Sequence, residues 1–523
     1  MRIFNTLPAR ASFSLLMLMS TAAWAADRPR AAGNGSPTAQ QQRSNRQESN
    51  QRSAPSNGGR QPASQQKNSV NIERELMITD LSVVEDPILT NPDSGQFGVW
   101  SFKYLIEQMS GSNDPSLFAL SLFTHGDEQT INGFDVPPRP AVQEKIIDPW
   151  LQRGGGTLDL KFAPVKLLAI VNRIDLRQVE GSEVLSAGEG RFVFGVLDAE
   201  GKPLAPTGGD AVGGMTIILE YSLPAQSSKD LQRWAEDWHE LGKYKPGTPA
   251  YNLRLAVLTK RFTDRGRGIG RPNRSALNQI RTNDIALATP WELREWTIDE
   301  ITGFLKPHSV AETPDFLTFN NTSDLADLLN ANATSIRNAS FTLPADLMAG
   351  SAPAGPYFDL RPDLPFELFE ANFAAAQATV DFGVMDGTFL NDLLAFFQSA
   401  PVANPIEGTD VVVNIPWQTP TGVDPDVRHL FAVNTCSGCH RDETATEFLH
   451  VGFPESARGQ NLFSDSMGSQ AFLSAFLTGG DPVVDPINPD LQHEFNDLQR
   501  RQGDLEELLT SGPRQHHRTN RRH

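Results

Sequence analysis

The chain of 523 residues holds two cysteines, Cys436 and Cys439, flanking Ser437-Gly438, with His440 directly behind them. A pair this close cross-links nothing distant, so the fold rests on buried apolar surface rather than on disulfides. The same five residues constrain the chemistry. Two thiols one helical turn apart can add across the two vinyl groups of a haem, and a histidine behind the second thiol is placed to ligate the iron. The sequence therefore predicts one haem c, bound covalently through Cys436 and Cys439, with His440 as an axial ligand. A zinc site wants about four ligands, and no second Cys/His pair stands at matching spacing. A thioredoxin-like pair would need a strand–helix frame, whereas the pattern before Cys436 is helical.

This stretch resembles the c-type cytochromes. Asp424-Pro425 makes a cap and first-turn pair ahead of Val427, Leu430 and Phe431, with Phe431 one position further from Cys436 than is usual there. The resemblance implies haem attachment outside the cytoplasmic membrane. FAVNTCSGCHRDETATEFLH, followed by FLSAFLTGG, also resembles a set of large exported bacterial proteins with one haem signature near the carboxyl end and no assigned activity.

Export is readable at the other end. Residues 1–25 carry Arg2 and Arg10, an apolar run from Phe13 to Met19 and the small-residue end Ala23-Trp24-Ala25, the pattern of a signal peptide cleaved before Ala26. The run is too short for a permanent membrane span, and no cysteine follows for lipid attachment. A periplasmic or secreted location follows. Residues 26–70 are rich in Gln, Ser, Asn, Arg, Gly and Pro and too poor in apolar residues to offset their ordering entropy, so a disordered tether is expected. A basic disordered tail is expected at 513–523. Taking the +2, +5 and +4 of these three segments from the overall −18 leaves −29 on residues 71–512. A body that acidic repels nucleic acid and anionic lipid and favours a basic redox partner.

Two folded parts are expected in the body. Residues 71–343 read as an α+β domain with a mixed or antiparallel sheet. Lys166–Ile174, Arg191–Leu197, Met215–Tyr221 and Leu293–Ile298 are β-branched or aromatic runs. A helix capped by Ser227 carries Leu231, Trp234, Ala235, Trp238 and Leu241 at helical spacing and stops at Gly242; a second spans Tyr251–Phe262. After a helix at Asp324–Ile336 and a linker at 344–356, residues 357–512 read as a mainly α-helical cytochrome c-like haem domain. Its helices are marked by Phe389–Phe397, Val427–Asn434, Phe472–Leu477 capped by Ser469, and Leu491–Leu509 with Gly503 as a weak point.

The sixth iron ligand separates the possible functions, because a second strong ligand gives electron transfer and an open position permits substrate chemistry. His450, ten residues past His440, is the first candidate and Met467 the second; His429 and His493 rank lower. With the sixth position open, Asp442 or Glu447 would serve as acid/base group in a haem-dependent oxidoreductase of peroxidase or oxygenase type. A third reading makes the α+β domain a surface-binding module with a structural or sensory haem. Within that domain, His125, Asp127 and Glu128 read as a loop, Trp234 and Trp238 as core, and Arg173 with Asp175 as a pair beside a strand. No nucleophile elbow, phosphate loop, HExxH or dinucleotide fingerprint is present.

Overall fold

A computed structural model describes residues 69–353 and 422–511, apart from 125–128, 132–133, 137–138, 140, 181–182, 206–213, 285–286, 288–291, 312, 315–321, 339–340, 342, 345–346, 349–351, 441–442 and 447. The expected signal peptide, nearly all of the tether, the helix at Phe389–Phe397 and the basic tail lie outside them, as do His125, Asp127, Glu128, Asp442 and Glu447.

The β-branched runs assemble into one sheet. Its path is β1 (Met77–Ile78), β2 (Val165–Arg173), β3 (Glu189–Val196), β4 (Met215–Ser222), β5 (Leu277–Asp284), β6 (Glu292–Ile298) and β7 (Leu305–His308), with a short β8 (Ala352–Pro353) also paired to β6. Every pairing is antiparallel, which settles the expectation of a mixed or antiparallel sheet.

The two faces of this sheet differ in chemistry. Register places Phe192, Leu219, Ile280 and Trp296 in one row across β3 to β6, beside a second row that includes Phe194 and Ile217. Helices α1 (Phe102–Met109), α2 (Pro115–Phe123), α3 (Ser228–Glu240) and α4 (Pro249–Thr263) contribute to the same core, with Phe102 edge-on to Phe194 at 5.5 Å and Phe262 5.7 Å from Tyr221. Ser227 caps α3, its Oγ accepting from the Asp230 N–H. The opposite face carries Arg191 with Glu220 in one register row and Arg281 with Glu295 in the neighbouring row, all four buried. Burying charges needs partners on every side. The two rows supply them: Arg281 donates to Glu295 at 2.9 Å, and Arg191 meets Glu189 at 2.7 Å and Glu220 at 3.3 Å.

Part of the C-terminal segment lies against that second face, with Phe453 on Gly195 and His440 beside Asn283, while its last helix packs on α3. Helices α5 (Thr322–Ala331) and α6 (Ala333–Arg337) share a small core with α7 (Pro425–Val433), through Leu325, Leu329, Ile336, Val427 and Phe431. Beyond it come α8 (Cys436–Cys439), the pair β9 (Val451–Gly452) and β10 (Phe472–Leu473), α9 (Ala475–Thr478), the pair β11 (Val483–Val484) and β12 (Gln492–His493), and α10 (Asp497–Ser511). Gly195 of β3 is required here, because a Cβ would stand 2.3 Å from the Phe453 ring that packs on it.

This corrects the expected mainly α-helical cytochrome c-like domain. Phe472–Leu473 is a strand, and the helix after it lasts one turn, stopped by Gly479 at φ 87°. The last helix begins at Asp497 rather than near Leu491, because Gln492–His493 pairs with β11. The physical reason is burial. Among the described residues the helices of this segment enclose only the small core around α7, so Cys439, Phe453, Met467, Phe476, Leu505 and Leu508 join the hydrophobic cluster that runs through the sheet. Ion pairs hold α10 in place: Arg500 to Asp175 at 2.8 Å, and Arg177 to Asp504 at 2.5 Å. Glu506 accepts from the Val70 N–H at 3.0 Å, and Gln502 donates to the Val70 carbonyl at 2.9 Å.

Candidate haem-attachment site

Helix α7 starts at the Asp424 cap and ends against the attachment motif, where Thr435 caps α8 by accepting from the Gly438 N–H at 3.1 Å. Glycine is needed at 438, since a Cβ would stand 2.1 Å from the Ala432 carbonyl oxygen. One short turn thus places both thiols in buried surroundings but against different neighbours. Cys436 packs with Leu293, Val310 and Phe448, its Sγ 3.5 Å from the Ala311 carbonyl; Cys439 belongs to the main core, its Sγ 3.4 Å from His450 Nε2.

His440 is fixed by the sheet. Its Nδ1 lies 2.7 Å from the carbonyl of Phe448, a residue at φ 63° that turns this oxygen inward. A carbonyl only accepts, so Nδ1 carries the proton and the lone pair sits on Nε2. Asn283 of β5 donates to the same carbonyl at 2.6 Å. Burial, reinforced by the nearby Arg281 charge, pushes the His440 pKa down to about 4, against the raising effect of the Phe448 hydrogen bond. The ring is neutral at pH 7, the form in which imidazole binds metal. Below it, burial raises the Glu220 carboxyl despite Arg191 and Arg281.

His450 lies beside this site, next to His440 rather than on the far side that a loop passing round a haem edge would reach. Its Nδ1 is 2.8 Å from Ser474 Oγ, its ring centroid 5.0 Å from Phe476 and 4.4 Å from His440. Met467 is buried and held at its backbone, the N–H donating to Glu85 at 2.9 Å and the carbonyl accepting from Ser456 at 2.7 Å. Trp234 and Trp238 are core residues. Arg173 and Asp175 form a buried two-pronged ion pair, extended by Arg500, that fastens α10.

A second constellation was not legible as a site in the sequence. His429 and His493 stack with ring centroids 3.4 Å apart and planes within 3°. His429 Nδ1 lies 2.7 Å from Glu443 Oε2, His493 Nε2 lies 2.9 Å from Asp485 Oδ2, and Arg428 pairs with both carboxylates. Only the fold joins these segments, Arg428 and Asp485 being 57 residues apart.

The attachment half of the motif fits a c-type haem: two reduced thiols on one turn and a neutral imidazole with its lone pair on Nε2. The far side is closed. Two axial nitrogens each about 2 Å from one iron put imidazole centroids about 6 Å apart, more than the 4.4 Å between His440 and His450. His450 as placed is therefore not opposite His440 across a porphyrin. No family model matches the chain, and no curated protein and no solved structure matches it. Among the described residues, no helix is long and apolar enough to cross a membrane.

Proposed function

We propose that the chain binds one haem c covalently through Cys436 and Cys439, with His440 as an axial iron ligand, and transfers electrons outside the cytoplasmic membrane. One observation carries the reading: the CSGCH turn presents two unbridged thiols, and its histidine is held neutral with Nδ1 donating to the Phe448 carbonyl. Bound there, the haem supplies a one-electron redox centre. The chain's own residues orient and insulate it. Asn283 and the Phe448 carbonyl fix the ring of His440, the buried Arg281–Glu295 pair sets the local charge, and Leu293, Val310 and Phe448 exclude water from Cys436. His450, the side chain beside the motif, would have to leave Cys439 and move away from His440 before it could serve as a sixth ligand. The acidic body suits a basic redox partner.

The test is the absorption spectrum of the purified chain in alkaline pyridine, then oxidised, reduced, and reduced with carbon monoxide. A thioether-haem spectrum, sharp reduced bands and no response to carbon monoxide are expected. Absence of covalent haem overturns the binding proposal. Immediate carbon monoxide binding overturns electron transfer and favours a haem-dependent oxidoreductase.

A further inference from the structure

We propose that His429, His493 and Asp485 bind one divalent transition-metal ion of the zinc type, with Glu443 and Arg428 as supporting groups. Ligand atoms of the two histidines and Asp485 lie within 4.8 Å of one another, on α7, on β12 and in the turn between β11 and β12. The cluster is largely buried, with Glu443 0%, Asp485 3% and His429 9% exposed, and His493 half-buried at its edge.

The hydrogen bonds around the cluster are those that prepare ligands. Glu443 accepts the Nδ1–H of His429, which leaves the lone pair on Nε2. A carboxylate behind the far nitrogen is what orients a metal-binding imidazole and fixes its tautomer. Asp485 Oδ1 accepts from the Ile487 and Asn488 N–H groups at 2.9 Å each, so this carboxylate is immobilised with Oδ2 shared between His493 and Arg428, whose guanidinium must give way to the ion. Two nitrogens and a carboxylate oxygen suit a zinc-type ion better than magnesium or calcium, which prefer all-oxygen shells.

Loading requires a defined movement. Ligands about 2 Å from one ion lie about 3.3 Å apart, a spacing that the present ligand atoms, within 4.8 Å of one another, come near without being aimed at one point. Parallel stacked rings cannot aim their in-plane lone pairs at one point, so His493 turns out of the stack about its soft terminal torsion. The ion would then clamp the β11–β12 hairpin and the turn holding Glu443 onto α7, the helix that leads into CSGCH.

The experiment uses the full chain with Cys436→Ser and Cys439→Ser, so that no thiol competes, and titrates zinc against a chromophoric chelator. Circular dichroism verifies folding of every variant, and cobalt in place of zinc gives visible bands that report the donor set. One equivalent per chain is expected, weakened about 100-fold by His429→Gln or His493→Gln and about 10-fold by Glu443→Gln. A folded chain that binds no zinc overturns the proposal, as does one equivalent whose affinity neither histidine variant changes. Because the haem-attaching thiols are absent from the chain tested, failure of haem attachment in the wild-type chain leaves this result untouched, and the reverse also holds.

Discussion

Acid should loosen the haem-free chain through His440. In the unfolded chain the imidazole titrates near its ordinary value of about 6.5, whereas in the fold burial holds it down to about 4. Between these values the unfolded chain carries a proton that the folded chain refuses. Stability contributed by the neutral ring is therefore complete above about pH 6.5 and is lost as the pH falls toward 4. At about 1.4 kcal/mol per unit, the loss over that window is about 3 kcal/mol. His239, raised chiefly by its hydrogen bond to Glu75, and His308, raised chiefly by Glu295, act in the opposite sense, so they must be cancelled rather than ignored. Comparing the Cys436→Ser, Cys439→Ser chain with the same chain carrying His440→Phe does this, because every other group is common to both. Urea unfolding followed by tryptophan fluorescence at half-unit steps from pH 7.5 to 4 should show the two curves converging on acidification, the histidine chain losing about 3 kcal/mol more. Parallel curves would refute the argument, since they would mean that His440 accepts its proton as readily in the fold as in water.

Two further outcomes follow from the same surroundings. Asn283→Leu removes one of two donors to the buried Phe448 carbonyl and should destabilise the chain by about 1 to 2 kcal/mol in urea unfolding; a change under about 0.3 kcal/mol would mean that the sheet does not hold the histidine loop. Arg428→Met leaves Glu443 and Asp485 buried without their guanidinium and should cost about 3 to 5 kcal/mol in metal-free buffer; an unaltered unfolding midpoint would show that these carboxylates are not held by Arg428.

Local pattern explains which parts were legible. The runs KLLAIVNRI, RFVFGVL and MTIILEY became β2, β3 and β4 because β-branched and aromatic side chains fit a buried pleat whichever partner they meet. The Ser227 cap and the apolar spacing of α3 were equally local. FLSAFL failed as a helix because Phe472 and Leu473 pair with Gly452 and Val451, a contact across twenty residues that no window reveals. The haem domain failed for the same reason: its apolar residues complete a core begun by the sheet. At the site, CSGCH was read from five adjacent residues, whereas the place of His450, beside His440 rather than opposite it, depends on the fold. The His429–His493 stack was not readable, because it exists only after β11–β12 folds back on α7.

The clasp between α10 and Val70 has a consequence for how the chain is made. Val70 and Glu506 are among the first and last described residues, and one hydrogen bond joins them. Strand β1 pairs beside this junction, and the ion pairs of Arg177 and Arg500 close the same seam. Contacts of such sequence separation form slowly, and they cannot form while the C-terminal segment is still being synthesised. The N-terminal edge of the sheet thus waits for α10, and a chain emerging in order from its amino end leaves this seam open until the residues Arg500 to Glu506 have been made.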